Sequence, residues 1–196
     1  MTVSREKLPR SFFERNTLQV AKDLLGMRLV RIEQGKRIAG IITETEAYRG
    51  EEDLACHARA GLTPRTRVMY GPPGHAYVYF TYGMHWLLNF VTEKEGFPAA
   101  VLIRSVEVVE GADIIANRRK GRPRQEWTNG PAKLCQAMNI DQSLNNLDTC
   151  LPHAVLFVEK DQEIPENQIL CSPRVGLYSV PEPWKSIPWR FRWSAP

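Results

Sequence analysis

The tightest constraint on the fold is a pair of apolar, β-branched segments, 27–32 and 37–48, that flank Gln34-Gly35. Both have strand character, and glycine at the joint allows a tight reversal. A second reversal is expected between two apolar strands over 76–91, with its tip at Thr81-Tyr82-Gly83-Met84. The run 99–104 predicts a buried strand, and 154–159 and 189–193 predict two more. Helices interrupt these strands. Asn16 can cap a helix whose apolar face is Val20, Ala21, Leu24 and Leu25, and Gly26 can end it. Residues 51–59 predict a short helix with acids in its first turn, and 110–120 another that stops at Gly121. A further helix is expected to start at Asn129-Gly130-Pro131. Strands and helices in mixed order, with hairpins among them, point to α+β. The pattern leaves the strand order open.

With 196 residues, the chain suits one domain spanning 1–196. No run approaches the ~20 apolar residues of a membrane span. The first residues lack the apolar core of a secretory signal. Cys56, Cys135, Cys150 and Cys171 form no Cys-x-x-Cys pair, so reduced thiols and an intracellular setting are expected. Cys150 and His153 have zinc-like spacing, but no second comparable pair completes a site. A net charge of +4 permits a nucleic-acid partner without requiring one.

Chemistry concentrates at the end of the 37–48 strand. Side chains two apart share a face, so Glu44, Glu46 and Tyr48 point one way and Thr43, Thr45 and Ala47 the other. The carboxylates fit a solvated sheet face. They also fit a site for cleaving a glycosidic bond, where a carboxylate activates water and stabilises an oxocarbenium-like transition state. Tyr82, beside Gly83 at a hairpin tip, resembles the wedges that unstack a DNA base step. Arg118, Arg119, Lys120, Arg122 and Arg124 form either a phosphate-binding patch or a helix C-terminus matched to its dipole. Arg59, Arg65 and Arg67 add positive charge before the hairpin. Phosphates should avoid Glu44, Glu46, Glu51, Glu52 and Asp53, so these acids are expected to lie recessed.

Together, Glu44-Thr-Glu-Ala-Tyr48, Glu52-Asp53, His57, Tyr77-Val-Tyr-Phe-Thr-Tyr-Gly-Met84 and Asn89 resemble the alkyladenine (3-methyladenine) DNA glycosylase family. Leu102-Ile-Arg104, Glu110-Gly111, Asn129-Gly-Pro-Ala-Lys-Leu134 and Arg174-Val-Gly176 extend the match in order along the chain. The resemblance implies a curved antiparallel sheet flanked by helices, with a protruding β-hairpin. It implies that Glu46 deprotonates the attacking water, which Arg104 and the Val175 carbonyl help hold. It places Tyr48 on one side of a flipped base and His57 and Tyr79 on the other, with Asn89 disfavouring guanine. Tyr82 would fill the vacated stack, with Gly83, Met84, Arg59 and Lys133 also at the DNA. The implied partner is duplex DNA carrying damaged bases, met by a monomer with no metal, cofactor or membrane. In a bacterium such a protein would be cytoplasmic and nucleoid-associated. His85, Phe80 and Thr81 depart from the family pattern, which bears on lesion range more than on the reaction.

The chemistry fits those roles. A glycosidic bond inside a duplex is out of reach unless the nucleotide leaves the stack. A cationic alkylated purine gains ~0.5–2 kcal/mol from an aromatic clamp through cation–π attraction. Two other functions compete: a hydrolase of small glycosides or nucleosides using Glu44 and Glu46 as a pair, and a nucleic-acid binder without catalysis. Lys133 is the best Schiff-base candidate, and Cys56-His57 is an unpromising nucleophile pair because chain neighbours seldom face each other. Base release without a covalent adduct is therefore expected.

Overall fold

The computed structural model describes residues 5–193. Four α-helices, α1 (Arg10–Phe13), α2 (Thr17–Asp23), α3 (Ala112–Arg118) and α4 (Pro131–Met138), accompany eight strands. These are β1 (Arg28–Glu33), β2 (Lys36–Arg49), β3 (Ala76–Thr81), β4 (His85–Val91), β5 (Ala99–Glu110), β6 (Leu156–Glu159), β7 (Leu170–Ser172) and β8 (Arg190–Arg192). They form one sheet in the order β3-β4-β5-β2-β1-β6, with β8 joining β2 and β7 joining β8. Every pairing is antiparallel. The α+β expectation holds. Among the described residues, no helix is long and apolar enough to cross a membrane.

β2 organises the sheet. Its first half pairs with β1, while Glu44, Thr45 and Glu46 pair with Arg192, Phe191 and Arg190 of β8. β5 runs along its other side, with register breaks at Ala39/Gly40 and around Glu44. Such irregularities bend a strand and raise its twist. Thr45 and Ala47 face the core, and the Thr45 hydroxyl donates to the Ala21 carbonyl of α2 at 2.7 Å. The main core joins α2 and α4 residues such as Val20, Leu134 and Met138 to Ile42, Phe90 and Ile103. Burying each large side chain contributes ~1.5–3 kcal/mol.

The expected Asn16 cap is present, its side chain accepting from the Leu18 N–H at 3.0 Å. Gly26 takes φ +81° and passes the chain into β1, a conformation suited to glycine. Other boundaries move. β5 continues to Glu110, so the next helix begins at Ala112 rather than 110. Asn129 does not cap α4; it accepts a hydrogen bond from Lys133 Nζ at 2.8 Å. The expected helix over 51–59 is absent, replaced by turns and a short 3-10 helix at His57–Ala60. Asp53 explains this: its buried carboxylate accepts from the Ala55 N–H at 3.0 Å, closing an Asx turn, and also binds Arg174. A carboxylate drawn into the interior cannot sit on a solvated first turn.

Candidate active site

The end of β2 delivers Glu46 and Tyr48 to a cavity of about 350 Å³. Glu46 is 0% exposed. Burying an ionised carboxylate is costly unless its oxygens find donors. Here the Val175 N–H donates to Oε1 at 2.8 Å and the Tyr48 hydroxyl to Oε2 at 2.9 Å. Arg104 Nη1 lies 3.3 Å from Oε2. Arg104 is itself anchored, its Nε donating at 2.6 Å to Glu44 Oε1, which Arg190 Nε also reaches at 2.6 Å. Glu44 thus pairs with two guanidinium groups and lies outside the cavity lining, while Glu46 stands within it. The idea of a working carboxylate pair loses its second member. The reading of these acids as a solvated sheet face fails with the burial of Glu46.

Aromatic rings wall the cavity. His57 and Tyr79 meet edge-on with centroids 4.5 Å apart, and Tyr77 and Tyr79 lie 5.3 Å apart. His57 Nδ1 is 2.9 Å from the Tyr77 hydroxyl, and His57 Nε2 is 3.4 Å from Arg65 Nη2. A guanidinium only donates, so Nε2 carries the lone pair and Nδ1–H donates to Tyr77. Burial, reinforced by Arg65 and Arg59, pushes His57 down to about 4, which leaves it neutral near pH 7. Burial raises Tyr48 and Tyr79 well above the ordinary phenol range, so both remain protonated. Burial also pushes the Cys56 thiol up to about 12, which removes a thiolate from the cavity wall. Asn89 is buried and donates from Nδ2 to the Tyr77 carbonyl at 3.0 Å, holding its amide against the floor.

Tyr82 stands at the cavity rim, 82% exposed, with Gly83 and Met84 also exposed. Tyr82 and Gly83 take φ +52° and +66°, and the Met84 N–H donates to the Thr81 carbonyl at 3.2 Å. Two positive φ values in a hairpin turn match the twist of its strands. The tip therefore projects Tyr82 rather than folding it back.

The structure brings together Glu46, Tyr48, His57, Tyr79, Tyr82, Asn89, Arg104 and Val175. Arg59 is exposed in the His57–Ala60 3-10 helix ahead of the hairpin, with Nη1 on the Leu54 carbonyl at 2.9 Å. Lys133 lies outside the cavity lining, bound to Asn129 and 3.7 Å from Glu126. The basic cluster is partly structural: Arg118 binds Glu33 and the Ala137 carbonyl, and Arg124 binds the Val108 carbonyl. Lys120 and Arg122 remain exposed. Of the acids expected to be recessed, Glu46 and Asp53 are fully buried, whereas Glu51 and Glu52 are exposed.

Sequence reasoning assigned no role to the pair that buttresses this site. Arg174 donates to Asp53 Oδ2 at 2.5 Å and Oδ1 at 2.8 Å, with both side chains 0% exposed. Its guanidinium also lies 4.7 Å from the Tyr48 ring centroid and 5.2 Å from that of Trp189. The partners are 121 positions apart, so no local pattern links them.

Comparison with known proteins follows the same contour. The family model described as methylpurine-DNA glycosylase matches residues 11–195. The chain belongs to the methylpurine-DNA glycosylase family. Similar members include a protein of Methanocella arvoryzae named "Putative 3-methyladenine DNA glycosylase", 50% identical over 94% of this chain and 90% of its own length. A protein of the same name from Carboxydothermus hydrogenoformans is 47% identical, covering 94% of this chain and 93% of its own. One from Myxococcus xanthus is 46% identical, covering 93% and 88%. The cavity of this methylpurine-DNA glycosylase family member draws on elements from β2 to the 175–177 segment, all within the matched span.

Proposed function

We propose that this protein removes alkylated or deaminated purines from duplex DNA by hydrolysing the N-glycosidic bond, as a monofunctional glycosylase acting in base excision repair. One observation carries the reading: a single fully buried carboxylate, Glu46, stands in an aromatic-walled cavity beside an exposed aromatic hairpin tip. Tyr82 enters the duplex and fills the gap left by the flipped nucleotide. Tyr48, His57 and Tyr79 clamp the base by stacking. Glu46 takes a proton from water as that water attacks the anomeric carbon, while Arg104 and the Val175 carbonyl hold the water in place. The C–N bond breaks, the base leaves, and an abasic site remains. An already cationic base departs readily, so the strongest demand on the protein is water activation and stabilisation of the sugar cation. Asn89 disfavours guanine by crowding its exocyclic amine. Exposed Arg59, Lys120 and Arg122 offer charge to backbone phosphates. The enzyme works as a monomer on DNA.

The test is Glu46→Gln with duplexes containing 7-methylguanine or hypoxanthine. The variant should bind lesion DNA and fail to release base. Wild-type-like release would remove Glu46 as the base.

A further inference from the structure

Both clamp tyrosines carry a guanidinium against the ring, but the two cations differ in compensation. Arg174, 4.7 Å from the Tyr48 centroid, is neutralised bidentately by Asp53. Arg65 lies 5.2 Å from the Tyr79 centroid and 3.4 Å from His57 Nε2. Among the described residues, no carboxylate lies within salt-bridge distance of Arg65. It is exposed and lies outside the cavity lining, so it acts on a base through the clamp and not by occupying the base's place.

We propose that Arg65 is a specificity-determining residue: its unpaired charge beside Tyr79 and His57 biases the glycosylase away from cationic bases and toward neutral lesions. The proposal rests on the glycosylase reading above. Its physics has two parts. A ring attracts a cation through the negative potential over its face, and a cation already on that ring withdraws part of the potential. An uncompensated charge also repels a cationic purine directly, and a neutral purine is not so repelled. By donating to His57 Nε2, Arg65 further commits that imidazole to the neutral form that points Nδ1–H at Tyr77. Neither clamp member can then offset the charge. Arg65 is solvent-facing, so screening limits the bias to about three- to fivefold in relative excision at low salt.

The experiment compares excision of 7-methylguanine and hypoxanthine in one duplex sequence. The readout is the ratio of their kcat/KM values. That ratio is independent of the active fraction of a preparation and of any phosphate contact shared by both duplexes. Arg65→Gln should raise the ratio of 7-methylguanine to hypoxanthine about three- to fivefold, whereas Arg65→Lys, which keeps the charge, should stay within about twofold of wild type. Raising the salt should narrow the gap between wild type and Arg65→Gln. An unchanged ratio in Arg65→Gln, including equal falls on both lesions, overturns the proposal and leaves Arg65 a general contact, and so does complete loss of both activities in a folded Arg65→Gln protein. An equal shift in Arg65→Lys and Arg65→Gln also overturns it, because shape and not charge would then set the bias. Wild-type protein that releases neither base would instead defeat the glycosylase reading itself.

Discussion

Replacing Asp53 by asparagine attacks the point where fold and site are joined. Asp53 and Arg174 are both fully buried, and the aspartate satisfies two guanidinium nitrogens and the Ala55 N–H. The amide introduced by Asp53→Asn would keep the volume and one acceptor but leave the Arg174 charge uncompensated. Removing one partner of a buried ion pair costs ~3–5 kcal/mol. The retained acceptor places this substitution at the lower end, about 3 kcal/mol, or a fall of ~6–12 °C in Tm for a chain of this size. Activity should fall further than stability alone explains at a temperature where both proteins are folded. Arg174 precedes Val175, whose N–H holds Glu46 Oε1, and a catalytic group misplaced by 1 Å can lose ~10²-fold in rate. Urea unfolding gives the stability change and single-turnover base release gives the rate. Adding Arg174→Met should recover part of the lost stability, because the orphaned charge is gone, without restoring the rate. A loss below ~1 kcal/mol together with unchanged release would refute the claim that this pair positions the site.

Other outcomes follow from the same geometry. His57 ordinarily titrates near 6.5 but is held at about 4 in the folded protein. The unfolded chain therefore binds more protons between those values, so stability contributed by His57 is complete above ~6.5 and is lost as pH falls toward 4, amounting to ~3 kcal/mol. NMR titration of the imidazole should find it neutral at pH 6, and a cation there would contradict its burial against Tyr77 and Tyr79. Tyr82→Ala should slow excision from duplexes while leaving unfolding within ~0.5 kcal/mol, since the side chain is mostly exposed; an unchanged rate would remove its wedge role. Lys133→Gln should retain base release, and borohydride should trap no DNA adduct with the wild type. A trapped adduct would replace activated water with an amine nucleophile.

Local pattern and tertiary contact divide this protein cleanly. The alternation along 37–48 already placed Glu44, Glu46 and Tyr48 on one face, because strand geometry dictates that periodicity wherever the strand sits. Gly83 beside Tyr82 marked a projecting turn, because positive φ is a local demand. The ordered motifs pointed to the family, and residues 11–195 match it. What no periodicity could reveal is which of two equivalent carboxylates lines the cavity. β8 and the 174–176 segment decide that. Arg190, 146 positions from Glu44, helps fasten it as a counter-ion, while Val175, 129 positions from Glu46, caps that carboxylate inside the cavity. The failed helix at 51–59 has the same origin: Asp53 answers to Arg174, 121 positions away, before it answers to a helix dipole. Sequence by itself determined most of the strands, the turn and the chemical types available, but not β7 or the full length of β5. Tertiary structure decided which charges are neutralised and which remain free to act, because desolvation and pairing belong to neighbours that only folding brings together.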